Sequence, residues 1–486
     1  MTRLGLHLKT LIYRNQLNIY SLAKTAGIER TVIHKIISND RIPSEEFILK
    51  LVSAIPLSPE EKNELLENYK ISKIGEFRYH QRIQVKKMLE AIAEIESSTV
   101  TTDRITAQRL PESRISATTA SGIFAVNSLV KSVIAETLSA TASPGIDFVI
   151  PVNYKYFFDE LIISYLTTPS LSIRQIVSFL KKSDFSDYKN ENIEVLSYVL
   201  PFAFAIGSNY CPHYIYRNSP NLESTQLMPY FLLTSTGILV LISRELDRAA
   251  LIRDKDIVAI YREKFEDALR KANILLNQMN SLHDLLEYCS EIDYDVPDSQ
   301  SHWIEPEPCL GSTIRNEEIE EKFRKDIPQR DELVALTQKH FSFLRKTQNK
   351  NIDVCTIDGL YRMIQNRQLY FTAPSFCSPI EPDQFAELLE RLKDMICKNL
   401  VKVLFVNPSK IRLPNKMLIQ INRKTGLNFI LFDQKLLDFR VVCLSEESIN
   451  EAFSDFIESI EETDLVYNAQ DSLAIVEKVI AELLQQ

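Results

Sequence analysis

The sequence predicts a multidomain chain of mixed class. It reads as an all-helical N-terminal domain of five helices, a helical linker, and two α+β modules with small antiparallel sheets. Three observations lead there. The chain has 486 residues, more than one hydrophobic core supports. Its apolar spacing is helical at the start and turns into strand–turn–strand patterns later. Basic and acidic residues are segregated along it. Composition is that of a globular protein, 45% hydrophobic and 25% charged. With only 10 glycines, it does not suit folds built on glycine-rich loops.

Residues 1–41 hold Arg3, Lys9, Arg14, Lys24, Arg30, Lys35 and Arg41 against two acids, Glu29 and Asp40. That local balance of +5 sits in a chain of net charge −9, so the remainder carries −14. A basic head on an acidic body suits a module that meets a polyanion. The seven cysteines are scattered from Cys211 to Cys443 with no paired spacing, which suits a reducing compartment. No signal peptide is visible and no continuous apolar run is long enough to span a bilayer, so the expected location is cytoplasmic, without a membrane.

The helices of the first domain follow from spacing. Leu4, Leu8, Leu11 and Ile12 share one face. Asn18 is placed to cap a helix ending at Ala26, whose inner stripe is Leu22, Ala23 and Ala26. Gly27 stands where the chain leaves that helix, and Ile28 plugs the turn. Ile33, Ile36 and Ile37 form the inner stripe of the next helix, which leaves Arg30, Thr31, Val32, His34 and Lys35 outward. Ser44 opens a fourth helix, Glu45–Ile55. Ser58-Pro59-Glu60-Glu61 is a capping box with proline at the first helical position, opening a fifth through about Ile71.

Residues 4–71 resemble the five-helix DNA-binding domain of the lambda-repressor/Cro-like helix-turn-helix family. Leu22-Ala23, Gly27-Ile28, Ile33, Ile36 and Arg41-Ile42-Pro43-Ser44 carry the likeness, over about one seventh of the chain. The resemblance implies that the helix from Arg30 lies in the major groove of double-stranded DNA, with Arg30, Thr31 and His34 facing bases. Val32 belongs to the same outward set. Lys24, Lys35 and Asn39 are placed for phosphates, which set register without reading sequence. The sequence departs from the family pattern twice. Ile19 opens the second helix where glutamine is frequent, and Glu29 caps the third where serine or threonine is usual.

Beyond residue 75 the resemblance stops. Residues 76–145 read as a linker: a helix from Tyr79 to Ile95, a Ser/Thr/Ala-rich stretch at 96–120, and an apolar helix carrying Ile123, Val126, Leu129, Val130 and Val133. That helix has two readings, pairing with its copy in a homodimer or packing on the next domain. Residues 146–290 and 316–486 read as two sensor modules separated by a proline- and acid-rich boundary at 291–315. Each ends alike: strand, Thr-Gly turn at Thr236-Gly237 or Thr425-Gly426, strand, turn, strand, helix. A duplication and a common architecture account for this equally well.

Catalytic signatures are missing. No G-x-G, phosphate loop, nucleophile elbow or C-x-x-C pattern occurs. The expectation is therefore no enzyme, no catalytic residue, no metal and no cofactor. Tyr214, Tyr216 and Arg217 are candidates for binding a small anion or planar ligand, although ordinary sheet packing accounts for the same tyrosines. The aromatic stretch 367–379 is a second candidate pocket loop, and core anchoring accounts for it too. The functional expectation is a sequence-specific transcriptional regulator, a homodimer on double-stranded DNA, whose body senses a small-molecule or peptide effector or organises assembly. The alternative is a DNA-binding or defence-type component whose body is a protein-interaction scaffold.

Overall fold

A computed structural model describes residues 3–38, 40–97, 118–182, 190–217, 228–279, 301–346, 351–369, 376–423, 426–433 and 438–485. The chain is mixed helix and sheet, and it divides into two compact units. One holds the chain up to Gln84 and the other nearly everything from Val85 onward.

The first unit is helical: α1 (Arg3–Arg14), α2 (Ile19–Ala26), α3 (Arg30–Ser38), α4 (Glu45–Ala54), α5 (Pro59–Ile74) and the start of α6 (Glu76–Ser97). Apolar residues at helical spacing converge on one core. Leu4, Leu8, Leu11 and Ile12 of α1 meet Leu22 and Ala23 of α2, Ile33 and Ile36 of α3, Ile48 and Leu51 of α4, and Leu65 and Tyr69 of α5. The capping box of α5 forms in full: the Ser58 hydroxyl accepts from Glu61 N–H, and the Glu61 carboxylate accepts from Ser58 N–H at 2.9 Å. Ser44 precedes α4 in extended backbone but makes no side-chain cap bond.

The second unit contains two sheets on one strand plan. The first has β1 (Thr119–Ser121), β2 (Gly145–Val149), β3 (Ser172–Leu180), β4 (Tyr210–Arg217), β5 (Tyr230–Thr234), β6 (Leu239–Ile242), β7 (Arg248–Ile252) and β8 (Asn273–Ile274), ordered β1-β7-β6-β5-β2-β3-β4-β8. The second has β9 (Asn277–Met279), β10 (Ser301–Ile304), β11 (Ile352–Cys355), β12 (Lys402–Phe405), β13 (Met417–Asn422), β14 (Gly426–Asp433) and β15 (Asp438–Leu444), ordered β12-β11-β10-β13-β14-β15-β9. In each, three parallel strands (β2, β3, β4; β10, β11, β12) lie on one side and an antiparallel meander (β5, β6, β7; β13, β14, β15) on the other. The expected sheets were small and antiparallel. The observed ones are mixed, because long crossovers return strands parallel to the first strand of each module.

The helices α7 (Ile123–Ala140), α8 (Lys155–Thr167), α9 (Glu191–Ile206), α10 (Lys255–Lys271), α11 (Asn316–Lys322), α12 (Arg330–Lys346), α13 (Ile357–Asn366), α14 (Pro382–Cys397), α15 (Glu447–Ser459) and α16 (Ala469–Leu483) cover these sheets. In both modules the crossover helices lie on one face and the helix after the meander on the other. Thus α9 packs with Ile173 and Phe179, while α10 packs Val258 and Phe265 against Ile176 and Leu233. Likewise α14 packs with Val403 and Phe405, while α15 packs Phe453 against Phe429. One extended strap joins the sheets: β8 pairs with β4, Leu275 and Leu276 are buried, and β9 pairs with β15.

Of the segment expected as a linker, the described residues from Val85 of α6 and the helix α7 belong to this body, and residues 98–117 lie outside the described residues. Val85, Met88, Leu89 and Ile92 of α6 share a core with Val126, Leu129, Val130 and Val133 of α7 and with the first sheet. The apolar face that offered a dimer contact is covered within the chain. By length and composition α7 is apolar enough to cross a membrane. Six of its residues are nonetheless buried in the protein, as in a core helix.

Candidate nucleic-acid interface

Three residues separate α2 from α3. Asn18 closes the N-terminus of α2, its side-chain oxygen accepting from Tyr20 N–H at 2.8 Å. Gly27 ends the helix with φ +64°, and no atom lies within 4 Å of where its Cβ would be. The site is open, so glycine is favoured there by its backbone angle and not by crowding. Ile28 N–H then donates to Ala23 O at 2.9 Å, and its side chain drops into the core. Ala23 is buried in the core that α2 and α3 share.

Arg30, Thr31, His34 and Lys35 are all exposed on α3, and Lys24 is exposed on α2. The arrangement brings four of the expected α3 side chains onto one open surface. Asn39 lies outside the described residues. Val32 is a correction: it is 8% exposed and packs in the core with Ile33 and Ile36. Ile37, expected inside, is only half-buried. The helix is therefore rotated from the expected register, its inner stripe centred on Val32, Ile33 and Ile36. Val32→Ala should destabilise the N-terminal unit by about 1–3 kcal/mol through lost packing. It should leave base preference intact once the protein is folded, which denaturant unfolding and a DNA selection check together.

Two local bonds shape the exposed side chains. The Arg30 guanidinium donates from Nε to His34 Nε2 at 3.3 Å, one helical turn on. Thr31 Oγ1 donates to the Glu29 carboxylate at 3.3 Å. Glu29 thus occupies a hydroxyl that would otherwise be presented outward. After the helix, Asp40 and Arg41 fold back, both N–H groups donating to Lys35 O.

Charge on this unit is distributed in a way that spacing did not reveal. Arg3 is paired with Glu76 at 2.6 Å, and Arg14 with Glu61. Both acids lie outside residues 1–41, so two of the seven basic side chains are neutralised across helices. Among the described residues no carboxylate pairs with Lys9, Lys24, Arg30, Lys35 or Arg41, and all five are exposed. Lys9 and Arg41 join the cationic set through this pairing pattern. The only sequence signal for them was their charge.

The tyrosine candidates lie in the second unit. Tyr214 is buried, stacked on Phe179 at 5.0 Å and edge-on to Tyr216 at 5.4 Å. Tyr216 OH donates to Glu446 Oε1 at 2.9 Å, and burial together with that carboxylate raises its phenol far above the ordinary value. Arg217 does not join them. It bonds Glu191 at the start of α9 at 2.8 Å, as the alternation of a strand requires. The two rings are committed to packing between β4 and the segment before α15. Residues 370–375 of the aromatic stretch 367–379 lie outside the described residues. Among the described residues no group of three or more His, Cys, Asp and Glu side chains is arranged to hold a metal ion.

The sequence matches no protein-family model and no curated protein. Three solved structures show limited likeness. The archaeal chromatin protein TrmBL2, described for its mode of DNA binding, is 12% identical over 56% of this chain and all of its own, with a TM-score of 0.24. A polyphosphate kinase from Porphyromonas gingivalis is 10% identical over 74% of this chain and 54% of its own, with a TM-score of 0.21. A phosphatidylserine synthase from Haemophilus influenzae is 7% identical over 74% of this chain and 91% of its own, with a TM-score of 0.22. Likenesses of this size assign neither fold nor function.

Proposed function

We propose that the N-terminal unit is a helix-turn-helix of the lambda-repressor/Cro-like kind and that the protein is a sequence-specific DNA-binding transcriptional regulator. The observation that carries the reading is the exposed face of α3. It follows a Gly27 turn and presents Arg30, Thr31, His34 and Lys35 together, with unpaired cations at Lys24 and Arg41 nearby. Such a helix fits the major groove, where its N-terminal side chains reach base edges and flanking lysines meet phosphates. The protein would act as a cytoplasmic homodimer reading two half-sites. The acidic body is read as a non-catalytic sensing or assembly region, with an effector of small-molecule or peptide kind.

Selecting bound duplexes from a random pool with the full chain tests this reading. A recurrent motif with two related half-sites is the expected result, and a pool that stays random rejects it. Affinity should also fall steeply with salt. With up to five unpaired cations per unit, the log–log slope should approach about −4 per half-site, since each neutralised phosphate releases counterions. A slope near zero would mean that the exposed cations do not meet phosphate.

A further inference from the structure

Glu305 and Asp353 stand on neighbouring parallel strands of the second module. Asp353 is the register partner of Trp303, and Glu305 N–H donates to Val354 O at 2.9 Å, one residue past the end of β10. The two carboxyls are therefore diagonal neighbours on one face of the sheet. Beside them that face carries the apolar Trp303, Cys355 and Val403, packed by Leu344 and Leu392, and the neutral amide of Gln420, the register partner of Trp303. Glu305 is 2% exposed and Asp353 8%. Asp353 Oδ2 accepts from Cys309 N–H at 2.9 Å. Its other oxygen, Oδ1, and Glu305 Oε1 are both buried with no hydrogen-bond donor among the described residues.

An ionised carboxylate only accepts. Two of them side by side, shielded from water and without a cation, are strongly disfavoured. We propose that Glu305 and Asp353 hold one proton between them, so that the second module carries a proton-binding site that links its stability to pH.

A single proton turns one carboxylate into a hydroxyl that donates to the other, which answers both unpartnered oxygens at once. Burial, and then the Asp353 charge, lift Glu305 well above the usual carboxyl range. Burial pushes Asp353 up to about 6, held back by its bonds to Glu305 and to Cys309 N–H. Asp353, whose carboxylate already accepts from Cys309 N–H, is the acceptor, and the more deeply buried Glu305 the donor. Among the described residues no cation pairs with either carboxyl. Glu307, from the same loop, adds negative charge, and the thiols of Cys309 and Cys355 are themselves pushed up by burial. Lys402 of β12 is taken by Glu461 and Arg391 of α14 by Glu318 and Glu387. His340 of α12, beside Trp303, is driven down to about 4 by burial and stays neutral. Asp353 also lines a cavity of about 40 Å³ with Trp303, Cys309, Asn351 and Lys402, room for a water to carry protons to the pair.

Both folded values lie above those of the unfolded chain, so the native state holds a proton that the unfolded state has lost. The stabilisation is complete below the unfolded carboxyl range and is lost as pH rises through the folded values. Glu305→Gln keeps a donor toward Asp353 without a titrating proton. Infrared spectra of the full chain at neutral pH should show a protonated-carboxyl band that shifts in heavy water and vanishes in E305Q. Melting temperature of the wild type should fall as pH rises from the unfolded carboxyl range through about 6 and beyond, while E305Q stays flatter and melts higher at the alkaline end. Absence of the band in the wild type overturns the proposal, and this holds even if E305Q does not fold. Parallel melting curves for the two proteins overturn it as well.

Discussion

Arg30→Ala should weaken binding to the selected DNA site by about 1–3 kcal/mol and relax preference at one base pair. Lys35→Ala should weaken binding to selected and scrambled DNA alike and make the salt slope shallower by about one unit. The two side chains leave the same helix but differ in chemistry and place. Arg30 is the first residue of α3, and its guanidinium is a planar fork that matches the two acceptors of guanine. Its bond to His34 Nε2 holds the side chain along the helix face, so less freedom is lost on docking. Lys35 lies more than a turn further on, a flexible point charge suited to phosphate. Binding isotherms of both variants, on selected and scrambled duplexes at several salt concentrations, separate the roles. Equal losses for Arg30→Ala on both DNAs would rule out base reading by Arg30. His34→Ala should give a smaller loss than Arg30→Ala, on the selected site only.

Gly359→Ala should destabilise the second unit by more than about 3 kcal/mol, among the largest effects of any single methyl group in this chain. A Cβ on Gly359 would lie 1.7 Å from Pro306 O and 2.5 Å from its carbonyl carbon. That carbonyl cannot retreat easily, because Thr356 donates to it from Oγ1 at 2.6 Å and from its backbone N–H at 3.3 Å. The Thr356 hydroxyl in turn caps α13, accepting from Gly359 N–H at 2.8 Å. Either the start of α13 lifts away or the loop that carries Glu305 and Cys309 moves. Gly27→Ala is the control. It meets no atom and costs only the left-handed backbone angle, about 1–2 kcal/mol. Denaturant unfolding of both variants measures the contrast, and equal, small losses would mean that the loop over α13 is not packed this closely.

Legibility in the sequence varied with how local the determining physics is. The helices of the first unit could be placed from their own residues: Asn18 caps α2, Gly27 ends it, and the capping box at Ser58 opens α5. Apolar residues three and four apart supply the core of the same unit. The meanders were readable because their strands are consecutive in the chain and separated by only a few residues. The parallel halves were not. Strands β10, β11 and β12 have four residues each, too few for any period to declare itself, and their partners lie dozens of residues away. The rotation of α3 was a closer miss: Val32 and Ile37 are both apolar and sit on either side of the stripe, and only packing decides which turns inward.

The candidate site divides in the same way. Residue identity and helical spacing alone place Arg30, Thr31, His34 and Lys35 on one side of a helix that follows a glycine turn. Which cations stay available was decided by tertiary structure, since Arg3 and Arg14 of α1 meet acids of α6 and α5 that are distant in sequence. The same holds for the buried carboxyl pair: nothing in the neighbourhood of Glu305 or of Asp353 marks either as unusual, and only the parallel pairing of β10 with β11 sets them side by side. Helix formation, capping and turns depend on contacts within a few residues, which a sequence carries on its face. Charge pairing and burial depend on which surfaces meet, and those are chosen by the whole chain as it buries its apolar area.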